Sequence, residues 1–547
     1  MLMSHVTWPP RDLDRMVETL KGVTLAKDRN RPGSNSKSKG RAGRPNEAAA
    51  LASEEGLFAR EHGSAANGRG RPPAGSTPAA EEGALARMAI RFTAWAERWF
   101  PDAFVFVAIA VVVVAAAALA NGAPVQAVTK SFGDGFWSLI TFTMQMAFVA
   151  IGGYVVASSP PARRLIHRMA EVPRTGRGAV GFVAAVSMIA SLFNWGLSLI
   201  FGGLLARAIA ERRDIRMDYR AAGAAAYLGL GATWALGLSS SAAQLQANPA
   251  SLPKSLLPIT GVIPFTETIF LWQSIVIAVV LIVISVVIAL WSAPSDAGAV
   301  TAEDMGVDVS EKEETLPPRE QPGEWLEHSP LLTILLVALA VGWLIQEFTR
   351  QSAIVAISNL NTYNFLFLML GLLLHWRPKS FLLAVAKSVP ATAGVLIQFP
   401  LYGAIAAILT TAKNAAGTTV SDEIAHLFVS FNTQDTFPLA MGVYSAVLGF
   451  FIPSGGGKWL LEAPYVMQAA NDLKVHLGWA VQVYNAAEAL PNLINPFWML
   501  PLLGVLGIKA RDVVGFTFLQ LLVHLPVVLF LLWLLARTLT YVPPVMP

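Results

Sequence analysis

Residues 179–206 read AVGFVAAVSMIASLFNWGLSLIFGGLLA, 28 consecutive positions without a charged side chain. A hydrocarbon core about 30 Å thick is crossed by roughly 20 helical residues, so this run is too long for one upright pass. Asn194-Trp195-Gly196 interrupts it. Arg163, Arg164, His167, Arg168, Arg174 and Arg177 precede it, and Arg207, Arg212, Arg213, Arg216 and Arg220 follow. Basic loops stay on the cytoplasmic side. Two of them around one run are awkward for a helix that crosses. They are natural for one that enters, turns at Asn194 to Gly196 and leaves by the same face. Unwound backbone at that depth is tolerated only where protein or a polar cavity encloses it. The tip of such a hairpin is therefore a candidate binding element. A single long tilted helix with a glycine defect is the competing reading.

The rest of the chain makes the membrane reading general. Of 547 residues, 54% are hydrophobic and 14% charged, where a soluble domain carries about a quarter charged residues. The charge crowds into the N-terminal part and a few loops. The apolar runs between are too long and too poor in charge for helices with a wet face, which excludes a large soluble enzyme. The net charge of +4 is assigned to tail and juxtamembrane Arg and Lys rather than to a nucleic-acid surface. Cysteine is absent, which removes disulfides, thiolate nucleophiles and thiolate metal sites. Residues 1–85, rich in Gly, Pro, Ser, Arg and Ala, are expected to be a disordered polar tail. No apolar core of a cleavable signal peptide follows Met1. An amphipathic stretch at 85–100, with Trp95 and Trp99, suits a helix lying at the interface.

Spans are expected near 103–121, 136–157, 221–240, 268–291, 331–347, 361–375, 388–411 and 513–536, with a ninth, broken one at 479–508. A second interrupted segment, 434–470, is broken by Pro453-Ser454-Gly455-Gly456-Gly457-Lys458-Trp459. The 479–508 stretch is broken by Leu490-Pro491-Asn492 and Asn495-Pro496, and 221–240 ends in Gly237-Leu238-Ser239-Ser240-Ser241-Ala242. Counting basic loops puts the N-terminus in the cytoplasm, the first hairpin on the inner face and the second on the outer. The expected architecture is an all-α polytopic protein of a prokaryotic inner membrane. It has two inverted repeats, each with a re-entrant helical hairpin and a broken transmembrane helix. The first half covers 86–292 and the second 329–540. A cytoplasmic linker at 293–328, acidic and expected to be flexible, joins them. Interrupted segments at corresponding places of two halves point to a transporter's midplane site.

Three glycines in a helix interior cost about 1 kcal/mol each relative to alanine. Gly455, Gly456 and Gly457 are therefore expected in a tight turn that presents N–H groups to a ligand. Helix N-termini aimed there favour an anion such as a carboxylate. The GxxxxGK[ST] spacing of a nucleotide loop is missing. Ser454 and Lys458 flank the glycines as ligand contacts, although Lys458 also suits a stem reaching the interface. Asn194 offers an amide at the first tip or simply forms the turn. Ser239, Ser240 and Ser241 offer hydroxyls to a ligand or to helix packing. Trp195 and Trp459 pack the tips into the scaffold. Ionisable residues at membrane depth are functional candidates by default. Glu488 and Glu462 are assigned to a coupling cation, with Glu462 alternatively an i,i+4 ion-pair partner of Lys458. Asn485 joins them as an amide ligand, Asn492 joins the substrate contacts, and Asn495 offers a further amide. Asp435, Glu267 and Glu423 fall near loop ends. No metal-ligand spacing and no hydrolytic triad stand out, so no enzyme, resident cofactor or metal is expected. A polar pore between broken helices is the alternative class.

Phe451-Ile452-Pro453-Ser454-Gly455-Gly456-Gly457-Lys458-Trp459 does not stand alone. With Phe193-Asn194-Trp195-Gly196, Gly237 to Ala242, Thr436-Phe437-Pro438-Leu439 and Asn495-Pro496-Phe497-Trp498, it resembles the AtoE-type short-chain fatty acid transporters. That family lies within the wider ion transporter superfamily, and the resemblance covers roughly residues 90–540. It implies cation-coupled uptake of acetoacetate- or butyrate-like monocarboxylates, driven by H⁺ or Na⁺, by inverted repeats with re-entrant hairpins. It also implies a homodimer. In the family the glycine motif more often continues with Gln before the Trp, so Lys458 is a departure. That departure fits a carboxylate, or marks a subgroup with another small organic anion, such as a dicarboxylate, as substrate.

Overall fold

The computed structural model describes Arg98 and residues 103–310, 316–495 and 497–546. The polar tail and the stretch with Trp95 and Trp99 lie outside the described residues. Among the described residues every regular element is helical and no strand occurs. Ala103–Ala120, AFVFVAIAVVVVAAAALA, shows why. Its valines are poor helix formers in water, but with no water to satisfy the backbone an intrasegment hydrogen-bond ladder is obligatory. Among the described residues, seven helices are by length and composition able to cross a membrane. They carry exposed apolar side chains such as Val279 and Leu339 on their outer faces.

One order of elements occurs twice. In the first half, Val125–Ser138 and Ile140–Ala157 form a kinked pair, followed by the short Pro160–Ala170. Next come the helix pair Gly176–Phe193 and Trp195–Ala210, an interrupted helix starting at Tyr219–Leu228 and resuming at Ser241–Ala247, and Trp272–Ser292. In the second half the counterparts are Pro378–Ser388 with Ala393–Thr411, then Val420–Phe431, then Phe437–Phe451 with Gly455–Asp472. Leu477–Asn492 with Leu500–Leu506 and finally Ala510–Ala536 complete it. Ala103–Ala120, Leu331–Arg350 and Leu360–His375 stand outside this repeat.

The chain doubles back within each helix pair. Ser198 Oγ donates to Ser187 O at 2.7 Å, and a Cβ on Gly202 would lie 2.3 Å from Ser187 Oγ. Residues 179–206 are thus two packed antiparallel helices rather than one tilted helix. In the second pair, Tyr444 Oη meets Tyr465 Oη at 2.8 Å. Asn194 and Ser454, both extended, cap the helices that follow: Asn194 Oδ1 accepts from Leu197 N at 2.9 Å, Ser454 Oγ from Gly457 N at 3.3 Å. Such caps contribute about 1 kcal/mol each.

Three boundaries differ from the sequence reading. The second span starts at Val125, ahead of 136. The helix Leu477–Asn492 runs through Pro491, so the interruption falls at 493–495 and not at Leu490. Proline lacks the N–H of one helical bond, and here the loss falls in the last turn. In the first half, Tyr219–Leu228 passes into a π-helical turn, Gly229–Thr233, and a 3₁₀ turn, Trp234–Leu236, before Gly237. A Cβ on Gly229 would lie 2.1 Å from Ser198 Oγ, so the break is pressed against the first hairpin. The acidic segment also docks instead of swinging free over 300–308. Val300 N donates to Asp218 Oδ2 (3.1 Å), Tyr219 N to Val300 O (2.9 Å) and Arg207 Nη2 to Asp308 O (2.8 Å). The backbone N–H and hydroxyl of Thr301 hold the Asp304 carboxyl below its usual range.

The two kinked pairs cross backbone to backbone. A Cβ on Gly135 would lie 2.6 Å from Gly403 O, and one on Gly403 would lie 2.5 Å from Gly135 O. Small residues of this kind let helices approach closely in a membrane. We expect Gly135→Ala to lower stability by about 1–3 kcal/mol through overpacking. Gly342→Ala, where a Cβ meets open space, should melt no lower than wild type. Tryptophan-fluorescence melting of the purified full chain decides this, and equal melting of all three would refute the crossing.

Candidate functional site

Asn194 bolts the first tip to its surroundings. Its Nδ2 donates to Val149 O (3.1 Å) and Tyr363 Oη (2.9 Å), and Tyr363 Oη donates to Phe193 O (2.7 Å). A Cβ on Gly153 would lie 2.1 Å from Asn194 Oδ1, so glycine lets the helix Ile140–Ala157 approach. The interruption of the same half clamps the tip from the other side. Leu238 N donates to Leu192 O at 2.7 Å and Trp195 N to Ser239 Oγ at 3.0 Å.

The second tip repeats the plan with different chemistry. Asn495 Nδ2 donates to Phe450 O (3.2 Å) and Trp498 Nε1 to Pro453 O (2.6 Å). The turn itself is formed at 452–454, while Gly455 to Gly457 are the first helical turn. Glycine is required by packing there. A Cβ would lie 2.2 Å from Trp234 at Gly455, 3.0 Å from Ser241 Cβ at Gly456 and 2.2 Å from Tyr402 at Gly457. The first-turn N–H groups of any helix have no acceptor within it, so both tips present donors.

Each tip also touches the interruption of the opposite half. Trp195 packs edge to face on Trp498, ring centroids 5.7 Å apart. Ser241 and Trp234 press on the glycine turn, and Tyr227 Oη donates to Asn492 O at 2.9 Å. Ser239 therefore reaches one tip and Ser241 the other. Ser240 lies between them, and its Oγ is buried without a hydrogen-bond partner among the described residues. So are Trp234 Nε1 and Asn492 Oδ1.

Behind the glycine turn is a buried ionic cluster. Lys458 Nζ lies 2.7 Å from Glu462 Oε1, 3.0 Å from Glu488 Oε2, 2.6 Å from Ser445 Oγ and 3.1 Å from Ser445 O. All three charged side chains are at most 1% exposed, so Lys458 does not reach the interface. The ammonium also sits 4.2 Å from the ring centroid of Tyr484. Tyr484 in turn donates through Oη to Gly455 O at 2.5 Å, which couples the cluster to the tip. Trp459, fully buried, packs on the same ring at 4.7 Å.

Asn485 stands apart from the cluster. Its Nδ2 donates to Gln482 Oε1 (2.7 Å), and Gln482 Nε2 to Ser274 Oγ (2.9 Å), a chain leading to Trp272–Ser292. Glu267 pairs with His476 at 3.0 Å and Asp435 with Arg537 at 3.8 Å, both away from the tips. Among the described residues no three His, Cys, Asp or Glu side chains stand close enough to hold a metal ion. Ser445, Tyr484, Trp234 and Tyr363 went unread in the sequence. Ser445 alone had a signal, because a hairpin turning at Pro453 brings its two arms together.

The family model "Short chain fatty acid transporter" matches residues 84–535. The chain is 33% identical over 441 residues to an Escherichia coli (strain K12) protein named for short-chain fatty acid transport, covering 80% of this chain and 97% of that one. A Haemophilus influenzae protein of the same name is 30% identical over 464 residues, 82% of this chain and 100% of the relative. Among solved structures, Neisseria gonorrhoeae MtrF, from a class of antimetabolite efflux pumps, superposes with a TM-score of 0.54 at 13% identity. It covers 84% of this chain and 100% of its own, a likeness of fold alone. The glycine tip, the serines facing it and the broken helices lie inside the matched region, and the chain belongs to the short-chain fatty acid transporter family, as a membrane transporter and not an enzyme.

Proposed function

We propose that the chain carries short-chain monocarboxylates such as butyrate and acetoacetate across the cytoplasmic membrane by cation-coupled alternating access. The observation that carries this reading is a set of buried donors without acceptors between two helix N-termini. Ser240 Oγ and Trp234 Nε1 have no partner among the described residues. The helices Trp195–Ala210 and Gly455–Asp472 begin beside them. Unpaired buried donors are costly, and a carboxylate accepts from all of them while the helix termini favour its charge.

In this reading Asn194 and Ser454 fix where the two helices begin, and Ser239 and Ser241 join the tips. Gly455 and Gly456 give the anion access to backbone N–H groups, while Gly457 N stays on the Ser454 cap. Asn492 Oδ1 completes the polar lining. Lys458, Glu462, Glu488 and, along the separate amide chain, Asn485 respond to the coupling cation. The halves are inverted, the hairpins re-entrant and the N-terminus cytoplasmic, as the basic loops suggest. The tightly packed tips correspond to a closed stage of the cycle, and access requires one hairpin to leave its neighbours. A homodimer belongs to the same reading, with Leu331–Arg350, apolar and largely exposed, as the surface free for it.

Proteoliposomes with the full chain should take up labelled butyrate or acetoacetate saturably under an imposed H⁺ or Na⁺ gradient, above empty vesicles. Excess dicarboxylate should not compete. Competition, or uptake without saturation, would replace the reading by a dicarboxylate carrier or a channel. Ser240→Ala should raise the substrate KM by about one to two orders of magnitude, since a hydrogen bond to a charged group contributes about 1.5–3 kcal/mol. An unchanged KM removes Ser240 from the site. Because the chain has no cysteine, Arg174→Cys and Arg213→Cys each provide a single label on either side of the first hairpin. Both should react from the cytoplasmic face, and labelling from opposite faces would show that the pair crosses.

A further inference from the structure

Lys458, Glu462 and Glu488 come from two helices, and Ser445, which shares the ammonium, comes from a third. Fully ionised, the cluster carries one net negative charge in a buried site. Among the described residues, the titratable side chains facing it from the surrounding helices are the phenols of Tyr402, Tyr444, Tyr465 and Tyr484. An ordinary phenol is neutral near pH 7 and supplies no compensating cation. An unpaired buried charge costs several kcal/mol.

We propose that the cluster is a one-proton site in which the Lys458 ammonium occupies the seat of a metal cation, so that the coupling ion is H⁺ and not Na⁺. The inference rests on the transport reading above and names its ion. Nζ has already taken the oxygens a bound Na⁺ would need: Glu462 Oε1, Glu488 Oε2, Ser445 Oγ and Ser445 O, all within 2.6–3.1 Å. The remaining charge is met by one proton. Geometry places it on Glu488. Glu462 accepts an aligned hydrogen bond from Nζ at 2.7 Å. Neither oxygen of Glu488 has a hydrogen-bond partner among the described residues, and its ion pair is longer.

The site is also placed to couple. Glu488 lies on the interrupted helix Leu477–Asn492, Lys458 follows the glycine turn, and Ser445 lies on the outgoing arm. A Cβ on Gly449 of that arm would lie 2.6 Å from Glu488 Oε2. Moving the second hairpin against the interrupted helix separates Glu488 from its cation. Glu488, protonated while buried beside Lys458, gives its proton to water on the side where the motion wets it and takes one up from the other side before it is buried again, with no other bond made or broken. One monocarboxylate moving with one proton is electroneutral.

Charge counting gives the test, read as the C=O stretch of protonated carboxyl groups in infrared spectra of the purified full chain. Wild type should show one buried protonated carboxyl at neutral pH. The band should vanish as pH rises and be indifferent to Na⁺. Glu488→Gln and Glu462→Gln should each lose it, because one carboxylate then balances Lys458. Lys458→Gln should gain intensity at this position, and Na⁺ should now diminish it. Glu488→Asp should shift the band and Glu462→Asp should leave it in place. A structural ion-pair cluster predicts no band in wild type at neutral pH, and that result, or a wild-type band removed by Na⁺, overturns the proposal. If one variant fails to fold, the wild-type titration and the remaining variants still decide. In proteoliposomes, uptake should follow an inward H⁺ gradient without Na⁺ and ignore an imposed membrane potential. Uptake that requires Na⁺ overturns the proton assignment. Loss of all carboxylate uptake with the band series intact would instead remove the substrate reading and keep the proton site.

Discussion

A helix broken inside an apolar medium frees N–H and C=O groups that lipid cannot satisfy, and the architecture of this protein follows from where those groups find partners. Both hairpin tips are held by donors from the interruption of their own half: Leu238 N on Leu192 O, Asn495 and Trp498 on Phe450 and Pro453. Each interruption is in turn pressed against the other half's tip. Four breaks, any one of which would be costly alone, are tolerable because they satisfy each other. The site proposed above lies at their meeting point. Groups left over once the mutual bonds are made, such as Ser240 Oγ and Trp234 Nε1, are the ones the proposed carboxylate site draws on.

The close fit at the centre has little to do with hydrophobic force, since lipid is as apolar as the helices it surrounds. Backbone approach does the holding. Gly135 against Gly403, Gly153 against Asn194 and Gly229 against Ser198 are places where a methyl group would overlap a neighbour. Rows of alanine in Tyr219–Leu228 serve the same end with slightly more bulk. Cores of this kind slide or separate as rigid pieces more readily than they deform, because shape rather than stickiness determines the contact.

Much of this was legible along the chain. An uncharged run too long for one upright pass, split at Asn194 and bounded by arginines, pointed to a fold-back over one tilted helix, and the Pro-Ser-Gly tract at 453–455 repeated the signal. The exact break in 477–506 was not legible, because proline in a last helical turn and proline at a break look alike in sequence. The ionic cluster was only half visible. Helical spacing joins Lys458 to Glu462 four residues on, but Glu488 lies on another helix and reaches the same ammonium only through the packing of the second hairpin. Trp234 and Tyr363 carried no signal at all, since a tryptophan after an alanine-rich helix reads as packing wherever it ends up. The spacing of the acidic segment likewise could not reveal that Asp218 would capture Val300.

The two tips differ in what fixes them. Every hydrogen bond that holds Asn194 is made by an amide, a phenol or the backbone, groups whose charge does not change near neutral pH. The glycine tip instead leans, through Tyr484 and Lys458, on two carboxyl groups. A change in ionic conditions that reaches the interior acts on the second tip and leaves the first as it was. If the second tip moves as proposed, the two tips act as a fixed jaw and a sprung one, with the spring made of charge.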